Sequence, residues 1–446
     1  MFNNESFCPE LWSQIEIGAG GDYKICCLAN YDSDFGMAVD ENNDVMNVLT
    51  HSFEEAINSV THKKHRLELK ENIKPKRCRN CYDSEDSTKG LLEWGNSIDT
   101  GRSKRQRVIR LTAPSIPEYV TYDKADRYTL DDGTATSKVV NLHLRFGNLC
   151  NMKCIMCSPQ HSNLWYDDWL DINYYGGQQI YKFGKFKTYN LERDEHGRVT
   201  MDIPKWYETE IWWNRVKEIA PRLKYIYFTG GEPFLVPAMH EMLDYLIDNN
   251  FATDVQLRFD TNLSVINPKL IAKLKKFKKI LMCVSIDDVG EQYELIRFPG
   301  KFNNFTENIK TLQKSGIEIH YISTCVGIGS IYSMMRVNKF AKTLNVPTEY
   351  RFLEGPSWLD LRHLPKSAKL EIIEKYKCAG EDDADHKWFK AMINLLTKYL
   401  DEFDISKLHE FVRVMDILDE RRSTNWRVTL TDVHDLLKRH CPELKL

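Results

Sequence analysis

Long apolar runs are missing from this sequence of 446 residues: no uninterrupted stretch approaches the roughly 20 residues of a membrane-spanning helix. The amino terminus, MFNNESFCPELWSQ, has neither a basic n-region nor an apolar h-region, so no signal peptide is expected there. An excess of one charge is also missing. Sixty-one Lys and Arg stand against 64 Asp and Glu, a net charge of −3, which argues against dedicated nucleic-acid binding and against a membrane-surface protein. No internal repeats occur. These absences predict a soluble, cytoplasmic protein. In such a chain the 12 cysteines are not expected to form a disulfide framework.

Apolar content of 42%, with 10 Trp, 21 Tyr and 20 Phe, is ample for a large core. The length predicts a main body with appended pieces. Residues 1–100 carry Cys8, Cys26, Cys27, Cys78 and Cys81. Residues 101–138 are polar and turn-rich and read as a connector. From 139 to 353, six β-rich runs (VVNLHLRF, LKYIYFTG, DVQLRFDT, KILMCVSID, IEIHYISTCV and VPTEYRFL) alternate with amphipathic helical segments. That alternation predicts parallel βα units: a barrel, a partial barrel or a doubly wound sheet. Residues 158–220 interrupt the pattern with an aromatic-rich insertion, either a substrate cover or a helical excursion filling its own small core. Residues 354–446 read as a helical tail.

Cys150, Cys154 and Cys157 crowd into eight residues directly after the first run, spaced C-x3-C-x2-C. Chemistry in parallel α/β folds gathers at the carboxyl ends of strands, which is where this loop falls. Three thiolates can each hold one iron of a cubane cluster and leave the fourth iron open. With His161 nearby, a Cys3His zinc site is the competing arrangement. The second run ends in TGGEP, bringing Gly230, Gly231 and Glu232 to the same end of the sheet. Adjacent glycines admit close approach to the backbone, and a carboxylate there can accept from an ammonium. In this order the two motifs favour the cluster.

Together, C-x3-C-x2-C after the first strand and GGE after the second resemble the radical S-adenosylmethionine (SAM) superfamily over residues 139–353. The resemblance implies a partial (β/α)6 TIM-type barrel and a [4Fe–4S] cluster on Cys150, Cys154 and Cys157. Its open iron would be chelated by SAM, and one-electron reduction would release a 5′-deoxyadenosyl radical. Met156 stands where many members place an aromatic residue against the adenine, and can still pack on a purine. Asn262, Ser285 and Asp287, at the ends of the third and fourth strands, are expected near the ribose or the methionine carboxylate. Arg297 is the candidate for forking onto that carboxylate, and Val326 for lining the adenine.

At the amino terminus, four thiolates suit a zinc ribbon or a second cluster equally. The opening Cys8-x12-Gly21-x4-Cys26, followed later by Cys78-x2-Cys81, resembles a SPASM or twitch domain in the order seen in radical SAM proteins with an amino-terminal twitch domain. This implies an α+β module in which Cys8, Cys26, Cys78 and Cys81 hold an auxiliary [4Fe–4S] cluster as an electron relay. Alternation along a strand would turn Cys27 the other way. The function implied is hydrogen-atom abstraction from a peptide or protein, with SAM and a one-electron reductant such as flavodoxin or ferredoxin as partners. A small-molecule tailoring enzyme and a non-catalytic zinc protein are the alternatives.

Overall fold

Runs of alternating β-branched and aromatic residues become the strands of one large sheet, and Pro and Asn mark where several of the intervening helices begin. The computed structural model of the protein describes residues 6–27, 29, 36–79, 81–82, 120–172, 179–183, 187–381 and 386–446. Half of the expected connector, residues 101–119, therefore lies outside the described residues. Gln14–Ile17 (β1) and Tyr23–Lys24 (β2) pair antiparallel near the amino terminus. Asn141–Arg145 (β3) follows. Gln179–Phe183 (β4), Lys187–Arg193 (β5) and Val199–Met201 (β6) form a separate antiparallel sheet. Then come Tyr225–Thr229 (β7), Gln256–Thr261 (β8), Lys279–Ser285 (β9), Ile319–Val326 (β10) and Thr348–Phe352 (β11).

Each of the six β-rich runs contains one strand, and β3, β7, β8, β9, β10 and β11 lie side by side and parallel. The helices between them are bounded by identifiable signals. Pro237 and Pro268 occupy first turns, where a missing N–H costs nothing. Asn267 caps Pro268–Leu274 by accepting from the Leu270 amide at 3.0 Å. Gly316, at φ +80°, closes Phe302–Ser315. The sheet ends at β11 on one side and β2 on the other, so the barrel is partial.

The sheet also holds a strand beyond the six. β1 lies parallel to β3 on its outer edge, with Glu16 opposite His143, and β2 completes that edge. The amino-terminal region is thus hydrogen-bonded into the barrel sheet. Along the strands, Leu142, Leu144, Ile226, Phe228, Leu257, Phe259, Met282 and Val284 enter the principal core. The alternate residues face the other way and include the polar His143, Arg258 and Asp260 beside a small cluster of Tyr225, Tyr227 and Leu281. There Arg258 lies over the ring of Tyr227, 4.4 Å from its centroid, and donates to the Tyr321 hydroxyl at 2.5 Å.

The insertion is more than helices: it contains the β4–β6 sheet besides Trp165–Ile172 and Glu210–Ile219. Its aromatics divide: Tyr166 and Trp169 pack against a small separate cluster of Leu191, Val199 and Met201, while others join the barrel. Trp165, Trp206 and Trp212 are fully buried in the principal core, where Phe146 packs against Trp206 and Trp212 with ring centroids 5.3 and 5.8 Å away. Trp206 Nε1 also donates to the Ala19 carbonyl at 3.0 Å, tying the insertion to the amino-terminal region. The tail is helical, with Lys366–Glu381, His386–Lys398, Ile405–Arg422 and Thr431–His440. Among the described residues, no helix is long and apolar enough to cross a membrane.

Candidate functional site

The loop that follows β3 is pinned through its backbone. Cys150 N donates to Asn163 Oδ1 at 2.9 Å. Lys153 N and Ile155 N donate to the carbonyls of Phe298 and Ile296 at 2.7 and 2.9 Å. The Met152 and Cys154 carbonyls accept from Ser162 Oγ and Trp165 Nε1 at 2.6 and 3.0 Å. With its peptide groups satisfied this way, the loop offers its three thiols as side chains. Cys154 is buried, while Cys150 and Cys157 are partly exposed. The Cys157 thiol donates to Cys154, favouring thiolate at Cys154 and thiol at Cys157. Burial, with Cys154 close by, pushes the Cys150 thiol up to about 12. Such thiols ionise when a metal replaces their protons.

The glycine pair answers to this loop. A Cβ on Gly231 would lie 2.1 Å from the Leu149 carbonyl oxygen, so the backbone that approaches this glycine is the cysteine loop itself. Glu232 N completes the contact by donating to the same carbonyl at 2.8 Å. Gly230 has φ +125°, outside the ordinary range of L-residues. The Glu232 carboxylate is fully buried. Its oxygens accept from Thr261 Oγ1 and Asn262 N, each at 2.7 Å, and from Phe234 N at 3.3 Å. Three of its four lone-pair positions are used by the chain, tying the end of β7 to the end of β8. Burial raises its pKa to about 7 against those hydrogen bonds.

The remaining expected residues fall into two groups. Asn262 adjoins the loop: its side-chain amide donates to Asn151 Oδ1 at 3.0 Å and stands 3.9 Å from Cys150 Sγ. Asp287 and Arg297 are joined to each other by a buried ion pair of 2.7 Å, and Asp287 also accepts from Cys325 N at 2.7 Å. The guanidinium expected to meet a ligand carboxylate thus already has a carboxylate partner. Ser285 ends β9, partly buried. Val326 is buried at the end of β10, and Met156 packs at the edge of the core.

Sequence reasoning missed Asp168. This carboxylate, 1% exposed, meets Lys153 of the cysteine loop at 2.8 Å, Arg421 at 2.9 Å and Arg422 at 3.2 Å. Arg422 in turn covers the rings of Trp165 and Phe298. The helical tail therefore buttresses the cysteine loop. A Lys within the motif was the one local signal, and its partners lie far along the chain.

In the amino-terminal module, the Cys78 thiol is surrounded by Cys26, Cys8 and Cys81, and burial together with those neighbours drives its pKa up. His65 Nε2 lies 3.2 Å from Cys78 Sγ. Buried Arg66 clamps the module, donating to the carbonyls of Leu11 and Gly133 at 2.6 and 2.9 Å. Cys27 turns instead toward His143 of β3. Among the described residues, neither cysteine set holds three ligand atoms within 4.8 Å of one another. A single tetrahedral zinc with thiolates at about 2.3 Å needs them about 3.8 Å apart. His161 is bonded through Nδ1 to Ser158 Oγ at 2.8 Å.

The profile of the Radical SAM superfamily matches residues 144–334, and that of SPASM, an iron-sulfur cluster-binding domain, matches residues 8–82. No curated protein matches the chain. Among solved structures it is similar to anSMEcpe with bound AdoMet, at 19% identity over 54% of this chain and 60% of that one, with a TM-score of 0.36. It is also similar to Streptococcus suis SuiB bound to S-adenosylmethionine, at 12% identity over 75% of this chain and 65% of that one, with a TM-score of 0.34. The chain spans less than two thirds of the length of either.

Proposed function

We infer the activity of this chain from its membership of the radical SAM superfamily, to which a SPASM iron-sulfur cluster-binding domain is added on the amino-terminal side. It is a radical SAM enzyme that abstracts a hydrogen atom from a peptide or protein substrate. The observation that carries this reading is the cysteine loop. Three thiols stand at the carboxyl end of β3 on a backbone fixed at every turn, beside the glycine pair of β7. A [4Fe–4S] cluster held there would pass one electron from an external reductant to SAM, the chemistry that yields methionine and a 5′-deoxyadenosyl radical.

Cys150, Cys154 and Cys157 hold that cluster, and the chain's other residues orient SAM. Glu232 keeps the ends of β7 and β8 together around the methionine end, while the carbonyls of the glycine pair accept its ammonium. Asp287 and Arg297 act as a pair, each fixing the other at the end of β9. Asn262 orders the loop next to Cys150, and Ser285 offers a hydroxyl to the ribose. Met156 and Val326 supply apolar contact for the adenine. Cys8, Cys26, Cys78 and Cys81 would hold the auxiliary cluster, whose chemistry would be electron relay from a flavodoxin- or ferredoxin-type donor. The SPASM module supports the peptide class of substrate, and the free cysteines support a reducing, cytoplasmic setting.

Anaerobic reconstitution tests this. About eight irons per chain and 5′-deoxyadenosine on reduction with dithionite are expected. A peptide deuterated at its side chains should pass deuterium into the deoxyadenosine. A fully reconstituted, reduced sample that releases no deoxyadenosine sinks the enzyme reading. Deuterium transfer from small metabolites but from no peptide sinks the peptide reading alone.

A further inference from the structure

A third group of metal-ligating side chains lies apart from both cysteine sets. Glu16 and His143 are opposite each other in the parallel β1–β3 ladder, so both side chains leave the sheet on its inner face. Cys27 reaches the same point from beyond β2. Ligand atoms of the three lie within 4.8 Å of one another, and among the described residues no other three His, Cys, Asp or Glu side chains meet that condition. Glu16 and His143 are buried, at 5% and 1% exposure.

The spacing is that of ligands around an ion. His143 Nδ1 stands 3.4 Å from Glu16 Oε2, and the Cys27 thiol also meets the buried imidazole. A charge-assisted N–H···O contact would close to about 2.7–2.9 Å. Ligands at about 2.0–2.1 Å from a tetrahedral zinc, by contrast, lie about 3.4 Å apart. Tyr227 stacks on the imidazole with ring centroids 4.2 Å apart, and its own hydroxyl donates to Asp260, so the ring plane is held. A thiolate and a carboxylate cancel the charge of a divalent cation, leaving a loaded site neutral, as burial demands. Mixed sulfur, nitrogen and oxygen donors favour zinc over magnesium or calcium.

We propose that Glu16, Cys27 and His143 form a zinc site on the inner face of the barrel sheet, with the fourth position open to water or a substrate heteroatom. Three protein ligands and a vacancy are the pattern of zinc sites that take exchangeable ligands. Lys24 stands opposite Glu16 in the β1–β2 ladder, so a Glu16–Lys24 pair without metal is the competing arrangement.

The test uses anaerobically purified holoprotein with its iron-sulfur clusters in place. It is given one equivalent of zinc chloride and desalted, and zinc and iron are counted separately. Zinc K-edge X-ray absorption then reads the shell. Expected is about one zinc per chain, with one sulfur near 2.3 Å and nitrogen or oxygen near 2.0–2.1 Å. His143→Ala and Cys27→Ser should each weaken zinc retention at least about tenfold at unchanged iron content. Zinc at background level overturns the proposal in favour of the Glu16–Lys24 pair. A sulfur-only shell overturns it by placing the metal on the cluster cysteines, and full retention in both variants overturns it as well. Should either variant fail to fold, Glu16→Gln, nearly identical in shape, carries the same comparison. Because zinc and iron are counted apart, failure here is distinct from failure of the radical reading.

Discussion

The two cysteine sets, both proposed to hold clusters, are assembled by opposite routes. Cys150, Cys154 and Cys157 lie on one short loop whose amides and carbonyls are bonded to neighbours from Ile296 to Phe298 and from Ser162 to Trp165. Cys8, Cys26 and the Cys78-x2-Cys81 pair belong to three separate segments of a module in which Arg66, on the helix Val60–Lys70, and Trp12 bond across to distant residues. A local motif brings its ligands together along the chain, although distant residues fix its backbone. A dispersed one needs the fold first. The local set should therefore be damaged by changes in its own loop, and the dispersed set by anything that loosens the module.

The largest contrast is chemical. Cys154→Ala should lower iron from about eight to about four per chain and bring deoxyadenosine formation below detection. Cys78→Ala should lose the same amount of iron yet retain reductive SAM cleavage, so equal loss of cleavage in both variants breaks the comparison. Next comes the tail's hold on the loop. Asp168→Ala strands Arg422, whose side chain is 2% exposed, and should cost about 3–5 kcal/mol in urea unfolding. Gly231→Ala forces a methyl into the Leu149 carbonyl and should cost about 1–3 kcal/mol. Gly355→Ala, where a Cβ meets nothing within 4 Å, should stay within about 0.5 kcal/mol.

The pH dependence has opposite signs in the two regions. Burial raises the Glu232 pKa to about 7, so the folded state binds the extra proton between the unfolded value of 4.5 and about 7. Stability at the loop is then lost as pH rises through that window. Burial, aided by Arg66 and Arg77, lowers His62 and His65 well below 6.5, so these imidazoles stay neutral in the module, and stability there is lost as pH falls below 6.5. Each slope should not exceed about 1.4 kcal/mol per pH unit per group. Peptide-resolved hydrogen exchange, corrected for intrinsic rates, should show the two regions responding in opposite directions. Parallel responses would dissolve the distinction.

How legible these regions are in the sequence follows the same division. The six barrel strands announce themselves because each is a run of alternating core and lumen residues between turn signals. The cysteine loop is legible because its three thiols are neighbours in the chain. The joining of β1 to β3 is not, since QIEI is too short to carry a pairing signal and its partner lies more than a hundred residues on. The β4–β6 sheet escapes notice behind the aromatics around it. Asp168 looks like an ordinary helix carboxylate until Arg421 and Arg422 arrive from the far end of the chain. Arg297 and Asp287 read from sequence as separate ligand contacts, whereas burial makes them each other's partner first.

The strand β1 changes what kind of assembly this is. Its four rungs on β3, from Gln14 opposite Asn141 to Ile17 opposite Leu144, make the amino-terminal module a structural layer of the barrel. Removing that module would bare the β3 edge and leave a row of unpaired backbone groups open to aggregation. The spacing between the two thiol sets is likewise fixed by a hydrogen-bonded ladder and not by a hinge. Electrons passing between them would cross a gap that neither solvent viscosity nor linker length can tune.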